Sequence, residues 1–223
     1  MGLDLGKWLS GLRTPNAPDE HEVKQLLKQR GMEVPDGLIV EAGAEFDPKG
    51  LKGPYAAKVC SPEIRHKFEL GGVILDLNEN DISDAVGEIQ SKFPEARVLV
   101  EQMCDYSGTE FIIGSTVDPV LGPAIMAGAG GILTELYKDV AFRLSPCSVV
   151  SATEMLDGLV IAPIFDGFRG ISLDKKGLAE IISNVSHLVD EIGDKFSQLD
   201  INPIVYSQSK WVVLDAKITL NGV

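Results

Sequence analysis

Short apolar runs of strand length recur along this 223-residue chain, separated at irregular intervals by amphipathic helical stretches. That alternation restricts the chain to mixed sheets packed with helices, an α+β (α/β mixed) class. Strands are expected at residues 32–40, with a Pro-Asp-Gly turn inside, and at 55–59, 72–77, 97–103, 111–117, 124–127 and 140–144. Two more, 199–205 and 211–218, pair around the turn Ser207-Gln208-Ser209. Helices are expected at 19–29, where Val23, Leu26 and Leu27 share a face and Gly31 ends the run, and at 80–93, capped by Asn78 or Asn80. Two further helices are expected at 151–159 and 178–196. Residues 1–18 read as a loose leader.

Composition bounds what such a fold can do. With 44% hydrophobic and 24% charged residues, the chain can bury a proper core as one large or two small domains. Its formal charge of −13 makes it a poor partner for nucleic acid, which is gripped by neutralising phosphates. A magnesium nucleotide is not excluded, because a local cation cluster and the metal set the field inside a cleft. Cys60, Cys104 and Cys147 are odd in number and lack metal spacing, as in the reduced cysteines of a cytoplasmic protein. No apolar run approaches the roughly 18 residues of a membrane helix, and no signal-peptide core precedes Lys7, so no membrane partner is expected. Lys7 also stands where a myristoylation motif wants Ser or Thr.

The stretch 57–73 is the densest in chemistry. Lys58 follows a short strand, Ser61-Pro62 makes a turn, His66 stands between Arg65 and Lys67, and Gly71-Gly72 closes the segment. A lysine is a point cation for phosphate, an imidazole in a positive field stays neutral and nucleophilic, and paired glycines let backbone N–H groups approach an anion. A strand, a turn and a solvated basic cluster is the plainer alternative.

Other groups carry similar double readings. Gly128-Ala129-Gly130-Gly131 follows an apolar strand and is either a phosphate-cradling loop or a tight turn; it fits neither the Walker nor the dinucleotide fingerprint. Residues 135–143 hold Glu135, Lys138, Asp139 and Arg143 between apolar neighbours, a pattern that also fits an exposed ion-paired edge. Asn202 and Asp215 on paired strands can offer oxygens to one hard cation, or simply belong to an Asn-Pro hairpin. Glu101-Gln102-Met103 ends a buried strand, as an adenine-and-ribose grip or as a plain strand end. His187 reads as a helix histidine and His21 as solvated, and the two tryptophans form no stacking platform with basic residues.

Taken in order, these blocks resemble the ATP-grasp subunit of ADP-forming acyl-CoA synthetases, the β-subunit relatives of succinyl-CoA synthetase. The resemblance spans about residues 20–220. It is carried by 57–67, 100–103, 108–114, Asp118-Pro119, Gly122-Pro123, 128–143, Gly167-Phe168-Arg169-Gly170, 198–204 and 214–218. It implies a leader at 1–18, an N-terminal and small lobe at 19–103, a large lobe at 104–223, and a nucleotide between two α+β lobes. Lys58 would hold the ADP/ATP phosphates, and Glu101, Gln102 and Met103 would form the adenine-ribose hinge. Glu110 with Gly130 and Gly131 would line the cleft, and Asn202 with Asp215 would ligate Mg2+. His66 would accept the phosphoryl group, with Asp200 orienting or stabilising its imidazole. Arg143 would add positive field, unless it pairs with Asp139.

The resemblance further implies a CoA-binding α partner in an α2β2 assembly and the reaction acyl-CoA + ADP + phosphate ⇌ acid + ATP + CoA. A catalytically silent nucleotide-binding regulatory or assembly subunit is the alternative, and carboxylate–amine ligation a weaker third. Two departures stand out. Phe68-Glu69 replaces the family's Ser-Asp after His-Lys, and the region between the first helix and Lys58 is short.

Overall fold

The computed structural model describes residues 5–64, 66–106, 109–131 and 138–222. The chain divides into two compact units. The larger takes the residues up to Pro18, Val23–Val34 and everything from Tyr106; the smaller takes Asp19–Glu22 and Pro35–Asp105.

The smaller unit is a four-stranded antiparallel sheet with one helix. Its strands are β1 (Gly37–Val40), β2 (Tyr55–Cys60), β3 (Val73–Leu77) and β4 (Arg97–Gln102), in the order β1-β4-β2-β3. Alternation along β2 sends Tyr55, Ala57 and Val59 to one face, where they meet Ile82, Ala85, Val86 and Ile89. Those four recur at helical spacing along α3 (Ile82–Lys92). The N-cap of α3 is Asp81, not Asn78 or Asn80, and its side chain makes no cap bond. Asn78 still shapes the entry, since its carbonyl accepts from the N–H groups of Asp81 and Ile82.

The larger unit is built on a six-stranded sheet. Its strands are β5 (Glu110–Asp118), β6 (Gly122–Ala129), β7 (Val140–Leu144), β8 (Phe196–Ser207), β9 (Lys210–Val213) and β10 (Ala216–Leu220). The order is β10-β8-β5-β6-β7, with β9 also on β8, and all these pairings are antiparallel. Its core joins inward residues of β5, β6 and β8 to Ala152, Met155 and Leu156 of α4 (Val149–Asp157). Leu178, Ile182, Val185 and Val189 of α5 (Lys175–Ile192) complete it. The helix expected over 178–196 stops at Ile192, because Gly193 takes a φ of +63° and Phe196 already opens β8.

Two expectations need correction. The supposed loose leader carries α1 (Leu5–Ser10), and Leu5, Trp8, Leu9 and Leu12 pack against the larger core. An apolar residue every third or fourth position gave them a face to bury. Further, α2 (Glu20–Gln29) places Val23, Leu26 and Leu27 in that same core, although residues 19–103 were expected to form one lobe. Among the described residues, no helix is long and apolar enough to cross a membrane.

Candidate functional site

The carboxylates of the larger unit gather by register. Asp200 on β8 stands opposite Lys217 on β10, and the same pairing continues from Ile201–Ala216 to Ile204–Val213. Between those pairs lie Asn202-Pro203 on one strand and Leu214-Asp215 on the other. The Asn202 N–H donates to the Asp215 carbonyl at 3.1 Å. Directly opposed residues of antiparallel strands share a face. Ile201 and Ala216 point into the core, so Asp200, Asn202, Asp215 and Lys217 occupy the other face. On the β5 side, Phe111 pairs with Ile204 but Ile113 pairs with Ile201, so β8 carries one extra residue there. The bulge sits at Asn202-Pro203, a common way to re-aim side chains.

Asp200 is half-buried, and its carboxyl is held above the ordinary aspartate range. Burial is the main cause, the nearby Asp215 carboxylate adds to it, and Lys217 opposes it. Crowded acids on one face are a fitting place for a cation. An amide oxygen and a carboxylate oxygen are the hard donors that magnesium takes, and magnesium needs few from the protein. Among the described residues, no three His, Cys, Asp or Glu side chains group as a metal cluster.

Glu110 and the glycine pair also come together. The Tyr106 hydroxyl donates to Glu110 Oε1 at 2.7 Å, and the Gly130 N–H donates to the Glu110 carbonyl at 2.7 Å. A Cβ on Gly130 would lie 2.8 Å from the Phe111 backbone, and one on Gly131 would collide with the Glu110 carboxylate. Residues 132–137, which include Glu135, lie outside the described residues.

Arg143 does not join the acidic face. It stands opposite buried Ile125 on β6, whereas its neighbours Phe142 and Leu144 stand opposite Met126 and Ala124. One step along a strand reverses the side-chain direction, so Arg143 turns to α4. Its Nε donates to Ser151 Oγ at 3.2 Å and its Nη1 to the Phe142 carbonyl at 2.9 Å. The pairing with Asp139 is not seen either; that carboxylate accepts from the N–H groups of Val160 and Ile161 at 2.8 and 2.9 Å.

In the smaller unit, the face of β2 and β4 away from α3 carries Lys58 and Glu101. The Lys58 Nζ donates to Glu101 Oε2 at 2.7 Å and to Glu20 Oε1 at 3.3 Å. Lys67 also pairs with Glu20, and Arg97 pairs with Asp19. The segment Asp19–Glu22 thus supplies carboxylates to a sheet that follows it by dozens of residues. The sequence offered only an acidic helix start as a signal. His21 is half-buried rather than solvated, and burial lowers its pKa first, with Asp19 opposing and Arg97 assisting. Burial likewise pushes the Cys60 thiol up.

Gln102 and Met103, expected with Glu101 at the nucleotide, are placed differently from it. Gln102 is exposed, and its N–H donates to the Asp36 carbonyl at 2.9 Å. The Met103 N–H donates to the Pro54 carbonyl at 2.8 Å, and its Sδ accepts from the Asp76 N–H at 3.1 Å.

His66 stands out from the surface with 75% of its side chain exposed and a φ of +54°. Glu69 Oε1 lies 3.9 Å from its Nδ1. Lys67 turns its ammonium to Glu20, and Arg65 lies outside the described residues. Of the two cations expected to flank His66, Lys67 is thus engaged by a carboxylate. The Gly71 and Gly72 N–H groups donate to the carbonyls of Phe68 and Lys67 at 3.1 and 2.7 Å, which closes the turn rather than leaving an anion nest. A Cβ on Gly72 would meet Val59 at 2.5 Å, so close packing requires glycine there. His187 is an exposed helix residue whose Nδ1 lies 2.8 Å from the Ser183 carbonyl, as expected.

The sequence and fold are similar to those of known proteins. The model of the ATP-grasp domain matches residues 13–220. The β subunit of an ADP-forming acetate–CoA ligase II from Pyrococcus furiosus is 35% identical over 91% of this chain and 91% of that protein. A crystal structure of a Pyrococcus horikoshii protein superposes with a TM-score of 0.88 at 31% identity, covering 100% of both chains. A second structure is the dinucleotide-forming acetyl-coenzyme A synthetase of Ca. Korarchaeum cryptofilum. It is in complex with coenzyme A and Mg-AMPPCP, its phosphohistidine segment pointing towards the nucleotide binding site. It superposes at 0.79 with 30% identity, covering 93% of this chain and 94% of that one. With antiparallel sheets, a glycine turn against Glu110 and an acid-rich β8–β10 face all in place, the chain belongs to the ATP-grasp family, alongside the β subunits of ADP-forming acetate–CoA ligases.

Proposed function

We propose that the chain is the nucleotide-binding subunit of an ADP-forming acyl-CoA synthetase, an acid–thiol ligase that interconverts acyl-CoA, ADP and phosphate with acid, ATP and CoA. The observation that carries this reading is the opposition of Asn202, on continuous β8, and Asp215, in the break between β9 and β10, on the face that also bears Asp200. Their oxygens suit a magnesium ion, which when bound neutralises phosphate charge and orients the nucleotide.

The protein's own groups do the remaining work. Phosphoryl transfer depends on positioning and charge neutralisation more than on bond-making by the protein. Lys58 holds nucleotide phosphate, and the Glu110 carboxylate with the Gly130-Gly131 turn lines the nucleotide's surroundings. His66 carries the phosphoryl group on a ring nitrogen. As the N–P bond breaks, a terminal phosphate oxygen of ADP forms the new P–O bond, and the imidazole leaves neutral because its other ring nitrogen carries a proton in the phosphorylated form. The exposure of His66 suits a group that must be reached by a donor. That donor, an acyl phosphate, arises on a CoA-binding α subunit, which also selects the acyl group, in an α2β2 assembly.

The test has two stages. Calorimetry must show ADP binding that strengthens with magnesium. The chain mixed with its α partner and ATP must then acquire acid-labile phosphate on His66. Magnesium-independent nucleotide binding would defeat the reading. Strong MgADP binding without phosphohistidine would favour a silent regulatory subunit, a reading to which the two carboxylates on Lys58 lend support.

A further inference from the structure

Lys24 is among the most enclosed charges of the larger unit, with 2% of its surface exposed on α2. Buried lysine is uncommon, because an ammonium removed from water is costly unless a partner meets it. Its Nζ donates to the Leu214 carbonyl at 2.7 Å. Leu214 lies in the break between β9 and β10, one residue before Asp215.

Ladder chemistry explains why a side chain is used there. The Leu214 N–H donates to the Pro203 carbonyl at 3.0 Å. The reciprocal bond of an antiparallel pair needs an N–H on residue 203, and proline has none. Lys24 supplies a donor to the Leu214 carbonyl from the helix instead. The same break holds Asp215 opposite Asn202, so the position of that carboxylate depends on how the Leu214 peptide is held.

We infer that Lys24 is a positioning residue for the cation site: its ammonium fixes the Leu214 carbonyl, and with it the strand break that presents Asp215 to Asn202. This rests on the reading of Asn202 and Asp215 as cation ligands. Lys24 acts on the site through the Leu214 peptide. It stands to Asp215 as an outer-shell partner stands to a metal ligand.

The experiment titrates Mn2+, read by electron paramagnetic resonance, into the full-length chain saturated with ADP. It compares wild type, Asn202→Ala, Lys24→Met and Lys24→Gln, and measures ADP affinity without metal alongside. Asn202→Ala must weaken Mn2+ binding. Lys24→Met is expected to weaken it about tenfold, the low end for losing an outer-shell partner, with metal-free ADP affinity unchanged. Lys24→Gln keeps an N–H donor and should lose only about threefold on the same scale. A merely structural lysine would not separate metal affinity from ADP affinity. If Asn202→Ala weakens Mn2+ binding and Lys24→Met binds as wild type, the role of Lys24 is overturned while the site stands. If Asn202→Ala binds as wild type, the cation reading falls and the inference with it. Should Lys24→Met not fold, Lys24→Gln decides alone, with wild-type Mn2+ affinity overturning the role.

Discussion

Lys58 and Glu101 meet as a buried ion pair, Nζ to Oε2 at 2.7 Å, with 8% of the lysine and 3% of the glutamate exposed. Glu20 approaches the same ammonium at 3.3 Å and brings Lys67 with it. A phosphate that uses Lys58 must therefore compete with carboxylates already in place. The pair also makes the lysine part of the smaller unit's stability.

Lys58→Ala is expected to lower unfolding free energy by up to about 3–5 kcal/mol, since it takes an ammonium away from two buried carboxylates. Urea denaturation checks this. A midpoint and slope equal to wild type would show that solvent reaches the pair freely. Loss of nucleotide binding in this variant cannot be assigned to the phosphate contact until folding has been measured.

His21 gives the smaller unit a pH dependence. Burial is the main cause of its lowered pKa, against an ordinary value of 6.5. A base whose folded pKa is depressed favours the native state above its unfolded pKa. That stability is lost as pH falls from 6.5 through the lower native value. His21→Gln should flatten the decline in melting temperature between neutral and mildly acid pH. An identical decline in both proteins would assign it to other groups.

What could be read in the residues followed local rules. The strands β2, β4 and β8 were legible as apolar runs, and α3 as an amphipathic stretch, because each depends on neighbours within a turn or a pleat. Asn202 and Asp215 were legible as a pair because a hairpin fixes its own register. The partners of Lys58 were not, because Glu20 and Glu101 lie 38 and 43 residues away in sequence. The direction of Arg143 was not legible for a smaller reason: one residue of strand phase decides which face it takes. Lys24 passed unnoticed among the polar positions of an amphipathic helix, where a lysine ordinarily reaches solvent.

Gly131 has a φ of +60°, and a Cβ added there would collide with the Glu110 carboxylate. Gly131→Ala is expected to cost about 1–3 kcal/mol, from a left-handed backbone and an overpacked contact. The displaced carboxylate would also lose the Tyr106 hydroxyl bond. Chemical denaturation measures the cost, and Tyr106→Phe combined with Gly131→Ala tests the coupling. Fully additive losses would mean that the two contacts are independent.

His66 offers the cleanest separation of folding from chemistry, because 75% of its side chain is exposed and its near neighbour is Glu69 at 3.9 Å. Surface substitutions away from special contacts usually change stability by about 0.5 kcal/mol or less. His66→Asn should therefore melt close to wild type and bind MgADP with nearly unchanged affinity. With the α partner present it should lose acid-labile phosphate labelling and overall interconversion of acyl-CoA and ATP. Glu69→Gln tests the neighbour separately. If that carboxylate orients the imidazole, labelling slows without disappearing, and if it does not, the rate is unchanged. Wild-type turnover by the His66→Asn complex would exclude His66 from the phosphoryl path and leave the chain as a nucleotide-binding subunit whose partner completes the transfer by another route.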